Sequence, residues 1–72
     1  MNLQVQFGLR VKELRLKLEL SQEALSYKAG IDRTYMTGVE NGKRNVSAKN
    51  MEKIISALEL PVPDFFNSDL FS

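Results

Sequence analysis

The stretch that decides the fold runs from residue 22 to residue 41 and reads QEALSYKAGIDRTYMTGVEN. Gly30 lies near its middle, and glycine takes the left-handed backbone conformation of a tight turn at little cost. Ser21 and Asp32 stand immediately before the two halves, and both residue types cap the first turn of a helix. The stretch therefore predicts two short helices that meet at a turn around Gly30.

Polar and apolar positions separate on these two helices, which we expect at about 22–29 and 33–41. The positions predicted to face inward carry small or apolar side chains, namely Leu25, Ser26, Ala29, Ile31, Met36 and Val39. Arg33 and its polar neighbours are left on the front of the second helix. A compact helix pair with such a front has the geometry that enters the major groove of B-DNA.

Further helices are predicted on both sides of this pair. Apolar residues at positions 7, 11, 14 and 18 lie on one face of a helix at about 5–19. Ser47 is expected to cap a helix at about 48–58, and Pro63 to open a short fifth helix through Phe66. The predicted fold class is all-α, a compact bundle of four to five short helices that forms a single domain over residues 1–72.

The composition argues against catalysis. The chain has no Cys and no His, which removes thiolate and imidazole ligands and the usual general base. Residues 38–44, GVENGKR, superficially resemble a phosphate-binding loop, but three residues separate the glycines and Arg stands where Ser or Thr is needed. We therefore expect no enzyme activity, no catalytic residue, no cofactor and no metal.

Charge is distributed unevenly along the chain. Residues 1–58 carry ten Lys and Arg against six Asp and Glu, whereas residues 59–72 carry three acidic residues and no cation. A basic body beside an acidic, aromatic-rich end predicts two different interaction surfaces. No apolar run approaches the roughly 18 residues of a membrane span and no signal peptide is evident, so a cytoplasmic protein without a membrane partner is expected.

A string of residues between positions 10 and 58 has a recognisable order and spacing. It consists of Arg15, Leu20-Ser21-Gln22-Glu23, Ala29-Gly30-Ile31, Val39-Glu40-Asn41-Gly42-Lys43-Arg44-Asn45 and Ser47. In this string the chain resembles the phage-repressor and Cro-like helix-turn-helix family, with the helix-turn-helix at about 22–41. Ser26 stands where that family more often has Ala, and both side chains are small enough for a close helix crossing.

A narrower likeness is carried by Asp32-Arg33-Thr34-Tyr35, Gly38 and Arg44-Asn45. In these residues the chain is similar to the controller proteins of restriction–modification systems. That resemblance implies a short, dimeric regulator that activates and represses its own operon, according to how many dimers occupy the operator, and times expression of the endonuclease. Activation would need a contact with RNA polymerase, for which Glu23 is a candidate. The alternatives are a phage or chromosomal Cro-like repressor and an antitoxin-like module that binds a protein.

The candidate DNA-binding residues lie on the two helices, the following loop and the start of the fourth helix. They are Gln22, Arg33, Thr34, Tyr35, Thr37, Lys43, Arg44, Asn45, Ser47, Lys49 and Asn50. Arg33 is the first candidate for contacting a base, because a guanidinium can pair with guanine O6 and N7; a phosphate contact or a solvated side chain is the alternative. Tyr35 fits a phosphate contact and core packing equally well, and Arg44 could bind the DNA backbone or enter the minor groove.

Two further groups are expected to be structural. The family resemblance pairs Arg15 with Glu40, and we assign this ion pair to stability. In residues 59–72, Phe65, Phe66, Leu70 and Phe71 are either core residues or a dimer surface, and we expect at least part of this segment to form a homodimer interface. Two-fold symmetry would then place two recognition helices about 34 Å apart, on two-fold related half-sites of a double-stranded operator.

Overall fold

The computed structural model describes residues 2–72 and confirms the predicted all-α fold. Its five helices are α1 (Leu3–Lys17), α2 (Gln22–Ala29), α3 (Arg33–Glu40), α4 (Ala48–Ala57) and α5 (Val62–Phe66), and a short 3-10 helix at Asp69–Phe71 follows them. No strand occurs within the described residues. None of the helices found there is long and apolar enough to span a membrane.

Side-chain caps set where the helices begin. The hydroxyl of Ser21 accepts a hydrogen bond from the backbone N–H of Ala24 at 3.0 Å, and the Ser47 hydroxyl accepts one from Asn50 at 3.1 Å. The Asp32 carboxylate caps α3 in the same way, through the N–H of Tyr35. Gly30 ends α2 with φ 69°, as expected of a glycine at this position.

The first helix ends earlier than predicted. It stops at Lys17, because Glu19 adopts a left-handed conformation with φ 57°. The next N–H, that of Leu20, then donates to the carbonyl of Arg15 at 3.1 Å, which closes the helix end without a glycine. Leu18 is therefore exposed, and the prediction that it shares the buried face of α1 is wrong.

The core lies between the five helices, where α1 and α2 pack on α3, and α4 packs on α2 and α5. Its fully buried large side chains are Phe7, Val11, Leu25, Met36, Val39, Ile54 and Phe65. The Phe7 and Phe65 rings lie 5.0 Å apart between centroids, and Phe66 packs edge-on to Phe65 at 4.9 Å. Phe65 is 0% exposed, so of its two expected roles the structure places it in the chain's own core and not on the dimer surface.

Hydrogen bonds from α1 hold the C-terminal segment in place. The Gln6 amide donates to the carbonyl of Leu70 at 2.6 Å. Arg10 donates to the carbonyls of Phe65 and Asp64 at 2.7 and 3.1 Å. The other residues predicted to form a dimer surface, Phe66, Leu70 and Phe71, are half-buried and keep part of their surface free.

Candidate nucleic-acid interface

The front of α3 is polar because its apolar residues point the other way. Met36 and Val39 are buried in the core, whereas Arg33 and Thr34 in the first turn are exposed. Tyr35 is half-buried at the side of the helix. The first turn of α3 thus presents one guanidinium and one hydroxyl to solvent.

Arg33 is held only loosely by a neighbour on α2. Its Nη1 lies 3.3 Å from the carboxylate of Glu23, and 66% of the Arg33 side chain is exposed. An exposed ion pair of this kind contributes about 0–1 kcal/mol, so a stronger acceptor can displace the carboxylate. Arg33 is therefore available to a ligand that approaches the front of α3.

A buried ion pair fixes the opposite end of the same helix. Arg15 donates from Nε to one oxygen of Glu40 at 2.7 Å and from Nη2 to the other at 2.9 Å. The side chains are 9% and 1% exposed. The hydrogen bond with Glu40 raises the pKa of Arg15, so the guanidinium stays charged. The structure thus places the two residues of the predicted ion pair together.

Two candidate DNA-binding residues, Gln22 and Thr37, extend the Arg15–Glu40 ion pair into a hydrogen-bond network. The Gln22 amide nitrogen donates to Glu40 at 3.0 Å, and the Thr37 hydroxyl donates to the Gln22 amide oxygen at 3.0 Å. The network joins the first three helices and fixes the orientation of α3 against α2. One N–H of the Gln22 amide is left for a phosphate. No pattern in the sequence indicates that these residues, 15 to 18 positions apart, bond to one another.

The loop after α3 returns to the side of that helix. The Arg44 guanidinium lies 5.4 Å from the centre of the Tyr35 ring, and the Asn50 amide donates to the Tyr35 hydroxyl at 3.3 Å. Residues 43–45 are exposed, as are Ser47 and Lys49 at the start of α4. The structure therefore brings the predicted residues of α3, the loop and α4 onto one continuous surface, which we call the α3–α4 surface (residues 33–37 and 43–50).

Cations dominate the exposed part of this surface. Arg33, Lys43, Arg44 and Lys49 are all exposed there. The N-terminus of α4 adds backbone N–H groups, which favour a negatively charged ligand. A surface that combines exposed cations, an amide and hydroxyls can bind phosphates and the edges of bases.

Comparison with known proteins identifies the family. A model described as Helix-turn-helix matches residues 11–65. The control protein C.MunI of a Mycoplasma species is 42% identical over 67 residues, which cover 92% of this chain and 90% of that protein.

Solved structures show the same likeness. The restriction–modification controller protein C.AhdI from Aeromonas hydrophila is 47% identical, with a TM-score of 0.82 over 86% of this chain and 94% of that one. The controller protein C.Esp1396I, solved as a tetramer with its natural 35-base-pair operator, is 36% identical, with a TM-score of 0.87 over 92% and 87% of the two chains. The chain therefore belongs to the helix-turn-helix family and, within it, to the group of the restriction–modification controller proteins.

Proposed function

We propose that this protein is a sequence-specific, double-stranded DNA-binding transcription regulator that controls a restriction–modification operon. The observation that carries the proposal is the exposed first turn of α3, which projects from a helix fixed at its other end by the buried Arg15–Glu40 pair. A fixed helix with an exposed guanidinium at its front suits base recognition in the major groove. Access to an operator requires that the protein be in the cytoplasm.

Each exposed group on the α3–α4 surface has a role in this proposal. Arg33 leaves Glu23 and pairs with guanine O6 and N7, and Thr34 beside it contacts a thymine methyl or a phosphate. Lys43, Asn45, Ser47 and Lys49 bind backbone phosphates on either side of the groove. Tyr35 supports Arg44 on its ring, and its hydroxyl accepts a hydrogen bond from Asn50, so its own O–H can still donate to a phosphate.

The protein acts as a homodimer in this proposal, and two dimers can share one operator. C.Esp1396I is a tetramer on its 35-base-pair operator, and the present chain is similar to it over most of its length. The dimer surface lies in residues 59–72 without Phe65. Its contacts come from Phe66, Leu70 and Phe71, together with Val62, which is 48% exposed at the start of α5.

Activation adds RNA polymerase as a partner of α2. The outer side of that helix presents Glu23 and Tyr27, and the Tyr27 side chain is 90% exposed. A large aromatic residue with so little intramolecular contact is suited to a protein interface. An acidic and an aromatic side chain one helical turn apart would meet a basic surface on the polymerase.

DNA binding is tested by titrating a labelled duplex from the region upstream of the protein's own gene. Arg33→Ala is expected to weaken binding to this duplex by roughly tenfold to a hundredfold and binding to a scrambled duplex much less. The affinity should fall steeply with salt, because phosphate contacts release counterions. Lys17→Ala is the matched control, since Lys17 lies with Leu58 and Asp64 in the groove beside α5, away from α3.

Two results would overturn the proposal. Failure of the unaltered protein to bind its upstream duplex at low salt would exclude DNA binding there. Equal weakening of both duplexes by Arg33→Ala would exclude base recognition by this residue. A transcriptional reporter driven by the same upstream region then measures whether added protein raises or lowers expression.

A further inference from the structure

Gly38 lies in the middle of α3 at the point where Arg44 crosses the helix. A Cβ atom at position 38 would lie 2.7 Å from Cγ of Arg44 and 3.2 Å from its Nε. All three heavy atoms nearest to that Cβ position belong to the Arg44 side chain. The absence of a side chain at Gly38 therefore provides the space in which Arg44 lies.

The core does not require a glycine here. No core residue is among the atoms nearest to the added Cβ, and Gly38 does not have a positive φ. Glycine inside a helix is less favourable than alanine, because it loses more backbone entropy on folding. The helix therefore accepts a less favourable residue at the one place where Arg44 needs room.

The Tyr35 ring orients the Arg44 side chain. Its guanidinium lies over the Tyr35 ring at 5.4 Å, and the Tyr35 hydroxyl is in turn bonded by Asn50 at the start of α4. The aromatic ring is thus fixed at its far end and supports a cation on its face. Arg44 remains exposed, so its N–H donors stay available on the same side of the molecule as the α3–α4 surface.

We propose that Gly38 is a positioning residue for DNA recognition. Its missing side chain seats Arg44 on Tyr35, so that this guanidinium meets an acceptor oxygen of the duplex from a fixed place beside α3. The inference rests on the proposed DNA-binding function. It assigns a role in DNA binding to a residue that touches no DNA itself, because a methyl group at position 38 would displace Arg44 from the Tyr35 ring.

The first test needs no DNA. Ring currents of Tyr35 should shift the side-chain proton signals of Arg44 upfield in the NMR spectrum of the free protein. Gly38→Ala is expected to remove this shift while leaving the midpoint of thermal unfolding unchanged or higher, because alanine favours the helix. An unchanged Arg44 spectrum in Gly38→Ala would overturn the proposed seat, whether or not the protein binds DNA.

The second test measures binding to the upstream duplex in a double-mutant cycle. Gly38→Ala and Arg44→Ala are each expected to weaken binding roughly tenfold, the loss of one charge-assisted contact. The double variant should bind as weakly as Arg44→Ala alone. Normal binding by Gly38→Ala, or losses that multiply in the double variant, would overturn the inference. Failure of the unaltered protein to bind would instead count against the proposed function.

A scrambled duplex identifies which acceptor Arg44 meets. Equal weakening on cognate and scrambled duplexes supports a phosphate, whereas weakening on the cognate duplex alone supports a base edge. Both outcomes agree with the proposed position of Arg44 against Gly38 and Tyr35. Lys17→Ala controls for the loss of one positive charge. Binding by Arg44→Ala that matches the unaltered protein on both duplexes would overturn the role of Arg44.

Discussion

The Glu40 carboxylate accepts three hydrogen bonds, two from Arg15 and one from Gln22, in a place that solvent barely reaches. A buried ion pair with complete hydrogen bonding is not by itself a large source of stability, because both ions have lost their water. Its value here is geometric, because it fixes the last turn of α3 to α1 and α2. The exposed guanidinium of Arg33 at the other end then projects from a helix whose position is set.

Removing one member of this pair should be costly. Glu40→Ala is expected to lower the free energy of unfolding by about 3–5 kcal/mol, because the Arg15 guanidinium would stay buried without a counter-charge. For a domain of this size the corresponding fall in Tm exceeds about 10 °C, measured by circular dichroism. Glu23→Ala removes an exposed pair and should change stability by less than about 1 kcal/mol. An unchanged Tm in Glu40→Ala would refute the structural assignment of the pair.

The close crossing of α1 and α3 explains why position 8 is a glycine, which the sequence analysis did not identify as important. Gly8 is buried in α1, and a Cβ there would lie 2.1 Å from the carbonyl oxygen of Val39 and 3.1 Å from that of Glu40. Backbone atoms of α3 cannot move aside as a side chain can. The close crossing of α1 and α3 therefore requires a glycine at position 8, because a side chain there would collide with the backbone of α3.

Two glycine substitutions should consequently have opposite effects on stability. Gly8→Ala is expected to destabilise the fold by about 1–3 kcal/mol or more, because the methyl group would force the two backbones apart. Gly38→Ala is the matched control, since only the Arg44 side chain must move there. Urea unfolding of both variants gives the comparison. Equal stability of Gly8→Ala and the unaltered protein would be incompatible with the observed crossing.

Elements with strong local signals were predictable, and elements set by tertiary contacts were not. Ser21, Asp32 and Ser47 cap the helices that they precede, so the starts of α2, α3 and α4 matched the expected positions. Glu19 ends α1 in a conformation that favours glycine, which no local pattern indicates. The 3-10 helix at Asp69–Phe71 was also missed, because a hydrogen bond from Gln6 in α1 holds that segment.

Similar limits apply to the candidate site. The exposed residues of α3 and the loop follow from the helical period, once the buried positions are known. Gln22 and Thr37 look like surface residues in the sequence, and their bonds to each other and to Glu40 depend on how two helices cross. Phe65 and Phe66 are chemically alike, and only packing decides that the first is enclosed while the second keeps exposed surface.

At the scale of the whole molecule, the proposed function depends on assembly. The chain extends 30 × 23 × 21 Å, so one copy offers a single recognition helix to a single half-site. A two-fold axis that relates two copies about 34 Å apart would bring both helices into successive turns of the same groove. The C-terminal segment is the proposed dimer surface, and its free apolar area can be tested directly.

A charge placed in that surface should separate the copies. The unaltered protein is expected to sediment as a dimer at micromolar concentration, and Val62→Asp to sediment as a monomer. Val62 is 48% exposed at the first position of α5, where Asp is well tolerated, so the monomer should stay folded, as circular dichroism would show. Leu16→Asp introduces the same charge at an exposed leucine of α1 and should remain dimeric. A monomeric unaltered protein would exclude the proposed assembly.

The Arg15–Gln22–Thr37–Glu40 network has one more consequence, which concerns the evolution of the protein. Groups that hold α3 in place point inward, whereas Arg33 and Thr34 point outward and support nothing else in the core. Under the proposed function, exchanges at positions 33 and 34 would therefore alter the preferred operator while the protein stays folded. A randomised library at these two positions should consist mostly of folded members, from which binders of new sequences could be selected.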